Sequence, residues 1–318
     1  MTQGFVTDRF DRLRRTAAPL MTSLRAMVLL GTSLLGTSLL GTGLALAGDD
    51  ASRWDGDARS AVRLIAGAPA AGKNLSGQNL PGQNLPDKGL PVRAGVEVRL
   101  KAGWHTYWRY PGDAGVPPRF DFAGSDNVKA VTVLWPAPQR IPEQGLVAIG
   151  YVRDVIWPLA IVPQNPAKPV TLRLKLDYAV CEKLCVPAEG KAELMVKDGS
   201  SADAALATAL AKVPKQVALG EGSPLAIRAV RREGDGSRSR VVVDVAAPTG
   251  TDVALFAEGP ASDWALPVPM AVAGAPAGLW RFAFELDGAP PGAKYDGASI
   301  TLTAVAGEHA IEVTTHLD

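Results

Sequence analysis

The chain has 318 residues, 47% hydrophobic and 20% charged, with 33 Lys and Arg against 32 Asp and Glu and a formal charge of +1. So even a charge balance excludes a nucleic-acid footprint or a strongly attracted membrane surface, and the length is enough for two domains with ordinary cores. Only two cysteines are present, Cys181 and Cys185, so the fold does not rest on a disulfide framework and the pair needs its own explanation.

The chain opens with Arg9, Arg12, Arg14, Arg15 and Arg25, followed by an uncharged, largely apolar run from Ala26 to Leu46 that ends in the small-x-small triplet Ala45-Leu46-Ala47. This is the layout of an export signal, and residues 1–47 are expected to be a signal peptide cut after Ala47. The alternative is an uncleaved membrane anchor, since the run is long enough to span a bilayer. The pair Arg14-Arg15 is followed by Thr16-Ala17-Ala18 and lacks the bulky apolar residues of a twin-arginine signal. Removing residues 1–47 takes away five basic and two acidic side chains and leaves a slightly acidic protein, expected in the periplasm.

Residues 48–91 form an N-terminal segment with one expected strand near Ser60 to Ile65, then a Gly/Pro/Asn-rich linker in which Asn-Leu recurs at 74, 79 and 84. From 92 to 200 short alternating runs appear between turn residues: VEVRLKAGWHTYW, PPRFDFAGSDNVKAVTVLW, VAIGYVRDVIWPLAIV and VTLRLKLDYAVC. In the last of these, Leu172, Leu174, Leu176, Tyr178 and Val180 alternate with Arg173, Lys175 and Asp177, the signature of a half-buried strand. Such strands, almost free of helical periodicity, predict an antiparallel sandwich.

Residues 201–219 are read as a helical connector, with SADAALATALAKV as the helix, Ser200 or Ser201 as its cap and Pro214 as its stop. From 220 to 318 the runs PLAIRAV, SRVVVDVAA, TDVALFAE, LWRFAFEL, ASITLTAVAG and AIEVTTHL predict a second sandwich. It holds no cysteine and no recognisable arrangement of titratable groups.

Cys181 and Cys185 end the last strand of the first block, within Tyr178-Ala179-Val180-Cys181-Glu182-Lys183-Leu184-Cys185-Val186-Pro187. Fully extended chain would hold their α-carbons about 13 Å apart, against the ~4.4–6.8 Å that a disulfide tolerates. A bond therefore requires a turn at Glu182-Lys183-Leu184, with Pro187 ending it. Three readings stay open on these residues. A structural bridge would constrain a loop so short by only about 2 kcal/mol. Reversible exchange suits a local pair, one sulfur exchanging and the other resolving the mixed disulfide. A copper or zinc site needs further ligands, and His105, His309, His316, Met195 and Met270 are not spaced from the cysteines in any metal motif. Lys183 favours a thiolate while Glu182 and Glu189 oppose it, so charge does not choose the attacking sulfur.

A second concentration is Gly103-Trp104-His105-Thr106-Tyr107-Trp108-Arg109-Tyr110, dense in rings for a chain with 6% aromatic residues. Such residues fill sandwich cores. They also serve as a cap over a disulfide or a docking face for a partner, and Trp104, His105, Tyr107 and Trp108 are the candidates for that role.

Taken together, GWHTYWRYPGDAGVPP, Gly150-Tyr151 and YAVCEKLCVPAEG resemble the N-terminal periplasmic domain of the DsbD family of thiol:disulfide interchange proteins, in the branch that includes ScsB. The resemblance runs through residues 92–195 and is looser beyond. It implies an immunoglobulin-like fold, so the expected class is all-β, two immunoglobulin-like antiparallel β-sandwich domains joined by a short helical connector. It also implies that Cys181 and Cys185 are the redox pair, with exchange of the protein-disulfide reductase type and neither organic cofactor nor resident metal. The implied partners are a membrane-embedded electron donor of DsbD or CcdA type and a periplasmic thioredoxin-fold client. DsbD itself separates its cysteines further, so Cys-x3-Cys sides with the ScsB branch. Full-length members continue into a multi-span electron-conducting domain and a thioredoxin-like domain, which are expected here as separate proteins. Two alternatives remain: a binding or scaffold module with a structural disulfide, and a copper-tolerance thiol protein.

Overall fold

The computed structural model describes residues 50–67, 92–196, 202–234 and 239–318. The expected export signal with its cut after Ala47, the Asn-Leu linker and the capping serines Ser200 and Ser201 lie outside these residues. Among the described residues no helix is long and apolar enough to cross a membrane.

The first sandwich is built from β1 (Asp55–Gly56), β2 (Ser60–Ala66), β3 (Val92–Leu100), β4 (His105–Gly112), β5 (Arg119–Asp121), β6 (Val128–Val133), β7 (Gln139–Glu143), β8 (Leu146–Tyr151), β9 (Val155–Pro163), β10 (Val170–Cys181) and β11 (Cys185–Val196). One sheet runs β1-β2-β3-β9-β6; the other runs β11-β10-β4-β8-β7, with β5 pairing onto β10. Alternation on β10 turns Leu172, Leu174, Leu176, Tyr178 and Val180 into the space between the sheets, against Val62, Leu64, Val96, Val98 and Trp157. Trp157 is fully buried and meets Phe120, Trp135 and Tyr151 edge-on at centroid distances of 5.3, 5.9 and 5.7 Å.

Two of the strands that escape the sequence pattern do so for clear physical reasons. In β11, Pro187, Glu189 and Gly190 break the alternation, yet β11 is an outermost strand, where a proline needs no outward N–H. Gly190 makes room for Val62, whose side chain a Cβ would meet at 2.7 Å. In β7, Pro142 and a length of five residues hide the strand, which is held by pairing with β8.

The helix α1 (Asp203–Ala211) starts from Ala202 rather than from a serine cap. Its buried Leu206 lies over Gly67 and Gly95, where an added Cβ would come within 2.6 and 2.7 Å of the leucine methyls. The glycines form the groove that seats the helix on the first sandwich.

The second sandwich follows as β12 (Lys215–Gln216), β13 (Ala226–Glu233), β14 (Arg240–Ala246), β15 (Val253–Glu258), β16 (Met270–Ala271), β17 (Leu279–Glu285), β18 (Ser299–Ala306) and β19 (His309–His316). Its sheets run β12-β19-β18-β15 and β13-β14-β17-β16. All pairs are antiparallel except β12 on β19. Ile227, Val241, Val243, Leu255, Phe282, Ile300, Leu302 and Val313 fill its core. The architecture is thus the expected all-β pair of immunoglobulin-like sandwiches with a short helical connector.

Titratable groups in the second sandwich are more organised than the sequence suggests. Asp244 is buried between Arg231 and Arg281. Glu258 and Glu312 face the first sandwich, where Arg109 of β4 donates to Glu258 Oε1 and Oε2 at 2.8 and 2.7 Å and also to Glu312. Burial opposes the Arg109 charge, but the two carboxylates outweigh it and raise its pKa; burial pushes Glu258 up from the ordinary carboxylate range. Beside this cluster Trp108 packs on Phe256 at 5.9 Å, Tyr110 donates to the carbonyl of Leu266, and Arg140 of β7 donates to the carbonyls of Leu255 and Pro269.

Candidate functional site

Cys181 ends β10 and Cys185 begins β11, and the two are paired directly opposite one another across the hairpin. Opposed residues in an antiparallel ladder have α-carbons about 4.5–5.5 Å apart, inside the range that a disulfide spans. The exposed loop Glu182-Lys183-Leu184 supplies the expected turn, which closes at Cys185 and not at Pro187, since Pro187 already lies within β11 opposite Ala179. The sulfurs are 2.6 Å apart as free thiols. Cys181 is buried at 1% exposure, whereas Cys185 is exposed.

On the other side of β10, the ladder places His105 opposite Cys181 and Thr106 opposite Val180. A row of three side chains, His105, Cys181 and Cys185, thus crosses three neighbouring strands. Strand alternation divides the aromatic segment between two faces. Tyr107 joins His105 on the cysteine face, with ring centroids 5.4 Å apart, and its hydroxyl lies 3.0 Å from Cys185 Sγ. Trp108 points the opposite way into the main core at 0% exposure, so it neither caps the cysteines nor offers a docking face. Trp104 is half-buried and lines an open cleft of about 380 Å³ with His105, Ile141, Glu143, Val152 and Glu182.

The residue that sequence reasoning missed is Glu143. It ends β7 and is followed by the turn Gln144-Gly145, in which both residues have positive φ, 49° and 89°. That is the backbone of a tight two-residue hairpin, and Gly145 supplies the second position without strain. The turn is fastened to the cysteine loop by a hydrogen bond from Gln144 Nε2 to the Lys183 carbonyl at 3.1 Å. Glu143 Oε1 then accepts from Cys181 Sγ at 3.0 Å and from Cys185 Sγ at 3.1 Å. No local signal marks it, since it lies 38 residues before Cys181 in an ordinary Pro-Glu-Gln-Gly turn. The hairpin also covers the outer face of β10: Ile141 and Ala148 close over Tyr107, Ala179 and Cys181 as a small separate apolar cluster.

These surroundings set the chemistry of the thiols. Burial, then the hydrogen bonds to Cys185 and Glu143, push the Cys181 thiol up to about 12, so it stays protonated at neutral pH. Burial, then the two sulfurs, push the Tyr107 phenol far above its usual value, so it remains a neutral hydrogen-bonding group. Burial acts to raise Glu143, but the hydrogen bonds from both thiols and the neighbouring His105 outweigh it and hold the carboxyl below its ordinary range. A carboxylate held ionised in contact with both sulfurs orients their protons and favours the thiol over the thiolate at Cys181.

His105 Nε2 and Glu143 Oε2 lie 3.5 Å apart, and neither has a hydrogen-bond partner. With Cys181 they form a set of potential ligand atoms all within 4.8 Å of one another. Linear spacing had set His105 apart from the cysteines; the ladder register brings them together.

Residues 83–197 match the family model described as thiol:disulfide interchange protein DsbD, N-terminal. The chain is similar in structure to the N-terminal periplasmic domain of ScsB from Proteus mirabilis, with a TM-score of 0.62 and 19% identity over 84% of this chain and 98% of that one. At that identity the likeness is one of fold. No curated protein matches the sequence.

Proposed function

We propose that this chain, whose residues 83–197 match the DsbD N-terminal model of thiol:disulfide interchange proteins, relays reducing equivalents in the periplasm through Cys181 and Cys185. The observation that carries the reading is the cross-strand pair itself, one sulfur buried and one exposed, with Glu143 against both. In the uptake half, a donor thiolate attacks the Cys185 sulfur of the oxidised pair. The Cys181–Cys185 bond breaks, a donor–Cys185 disulfide forms and Cys181 leaves as the thiol after gaining a proton. A second donor thiol then attacks its own sulfur in that bond and frees Cys185, so two electrons and two protons have entered.

In the delivery half, Cys185 attacks a client disulfide and Cys181 resolves the mixed disulfide, restoring the bonded pair and releasing a client dithiol. Cys185 is assigned the exchange with partners because Cys181 is covered by Ile141, Ala148 and Tyr107. Glu143, ionised throughout, accepts hydrogen bonds from the protonated sulfurs and orients them, while the protons of each step exchange with solvent at the exposed Cys185 side. A membrane-embedded donor and a thioredoxin-fold client are the partners this reading names.

The test is the equilibrium reduction potential of the pair, measured against a thiol buffer with alkylation of the free thiols. The expected value lies among exchange proteins, roughly −120 to −270 mV. A value below about −300 mV would make the pair a structural bridge and the chain a binding module.

A further inference from the structure

Beside the two sulfurs the fold buries an imidazole nitrogen and a carboxylate oxygen that face each other at 3.5 Å yet make no hydrogen bond. The His105 side chain is 7% exposed and that of Glu143 is 12% exposed. Both His105 Nε2 and Glu143 Oε2 are without a hydrogen-bond partner. Buried polar atoms are normally paired, and an unpaired one costs stability unless something else engages it. Here the two atoms sit side by side, 3.5 Å apart, next to thiols that become anionic ligands when a cation displaces their protons.

We propose that the dithiol form of the site binds one zinc ion, through Cys181 Sγ, Cys185 Sγ, His105 Nε2 and a carboxylate oxygen of Glu143. The donor set of two sulfurs, one imidazole and one carboxylate is of the kind that zinc takes in tetrahedral sites. Zinc bonds of about 2.0–2.3 Å place tetrahedral ligands roughly 3.3–3.8 Å apart. Cys181, His105 and Glu143 already lie within 4.8 Å of one another, and Cys185 Sγ is 3.1 Å from Glu143 Oε1. Closing the set needs the sulfurs to part and the remaining atoms to draw in by about an ångström. The exposed loop Glu182-Lys183-Leu184 beside Cys185 and the open cleft beside His105 give room for that.

The reaction balances without any oxidant or reductant: two thiols and one zinc ion give a zinc dithiolate and two protons. Oxidation of the pair removes both sulfur ligands, so the site exists only in the reduced protein, and bound zinc holds the pair out of exchange. This deepens the relay reading and rests on it only in requiring that the pair be reducible.

The experiment titrates zinc into the purified protein under anaerobic conditions, competing against a chromogenic zinc indicator, with proton release followed in weak buffer. Alkylation of a parallel sample first counts the free thiols. A pair that cannot be reduced ends the relay reading; a pair that is reduced yet binds no zinc ends this inference alone. The expected result is one zinc per chain, about two protons released, and binding at least 100-fold tighter in the reduced than in the oxidised protein. His105→Ala and Glu143→Gln are each expected to weaken binding tenfold or more while leaving two alkylatable thiols. Equal affinity in the two redox states, or unchanged affinity in both variants, would overturn the proposal.

Discussion

Strand β4 serves two regions that treat buried polar groups in opposite ways. At Arg109 and Tyr110 it meets the second sandwich, and there the guanidinium engages two carboxylates while the phenol is given a carbonyl. Four positions earlier, at His105, it meets the cysteines, where an imidazole nitrogen and a carboxylate oxygen face each other at 3.5 Å without a hydrogen bond beside two thiols. Strand β7 repeats the division, with Arg140 reaching the second sandwich and Glu143 reaching the sulfurs. The same two strands therefore carry both a fastened end and an end that meets the cysteine pair. A saturated network fixes the backbone, and a site with polar atoms to spare is positioned by it.

The largest effect that tests this division should come from Arg109→Ala. It leaves Glu258 and Glu312 buried without their cation, which costs about 3–5 kcal/mol, or roughly 6–20 °C in Tm for a protein of this size. The reduction potential of the pair should stay within about 10 mV of wild type. A large shift in potential with little loss of Tm would erase the distinction between the two ends.

A smaller effect concerns pH. The Cys181 thiol, held up to about 12, keeps its proton where an unfolded cysteine has lost it. Stability of the reduced protein should therefore fall as pH rises from the ordinary thiol range, near ~8.5, towards 12, and the oxidised protein should lack this trend. Urea midpoints of both forms at several alkaline pH values measure it. For the same reason at least one proton must accompany reduction up to about pH 11, so the potential should become more negative by no less than ~30 mV per pH unit.

The smallest effect should follow Tyr107→Phe. Losing a neutral hydrogen bond to Cys185 costs about 0.5–1.5 kcal/mol, so the potential should move by about 10–30 mV to more negative values. That direction reflects a bond made to the free thiol, and a shift the other way would show that the hydroxyl favours the disulfide.

Much of this arrangement is legible in the sequence where local chemistry decides it. Alternation from Leu172 to Val180 declares a strand with one buried face, and the spacing of Cys181 and Cys185 requires a turn if they bond. Alternation also held an unused signal: His105 and Tyr107 share a parity that Trp108 does not, so only two of those three rings can face the cysteines. Glu143 was illegible because hairpin geometry at Gln144-Gly145, not sequence proximity, carries it to the sulfurs. The same holds for Arg109 with Glu258, which lie 149 positions apart. Strand β11 was illegible because its irregular composition suits a sheet edge, and edge status depends on which strands pair elsewhere. The helix was readable from its alanines, but its seat was not, since that depends on Gly67 and Gly95 standing under Leu206.

Pro187 sits two residues past Cys185 on the outermost strand, its ladder partner being Ala179. Because proline has no N–H, the free margin of the sheet lacks a donor at the level of the cysteines. An incoming chain cannot zip itself onto the sheet there as an added strand. A partner that exchanges with Cys185, as proposed above, would meet side chains around the loop instead, where Leu184 stands 76% exposed.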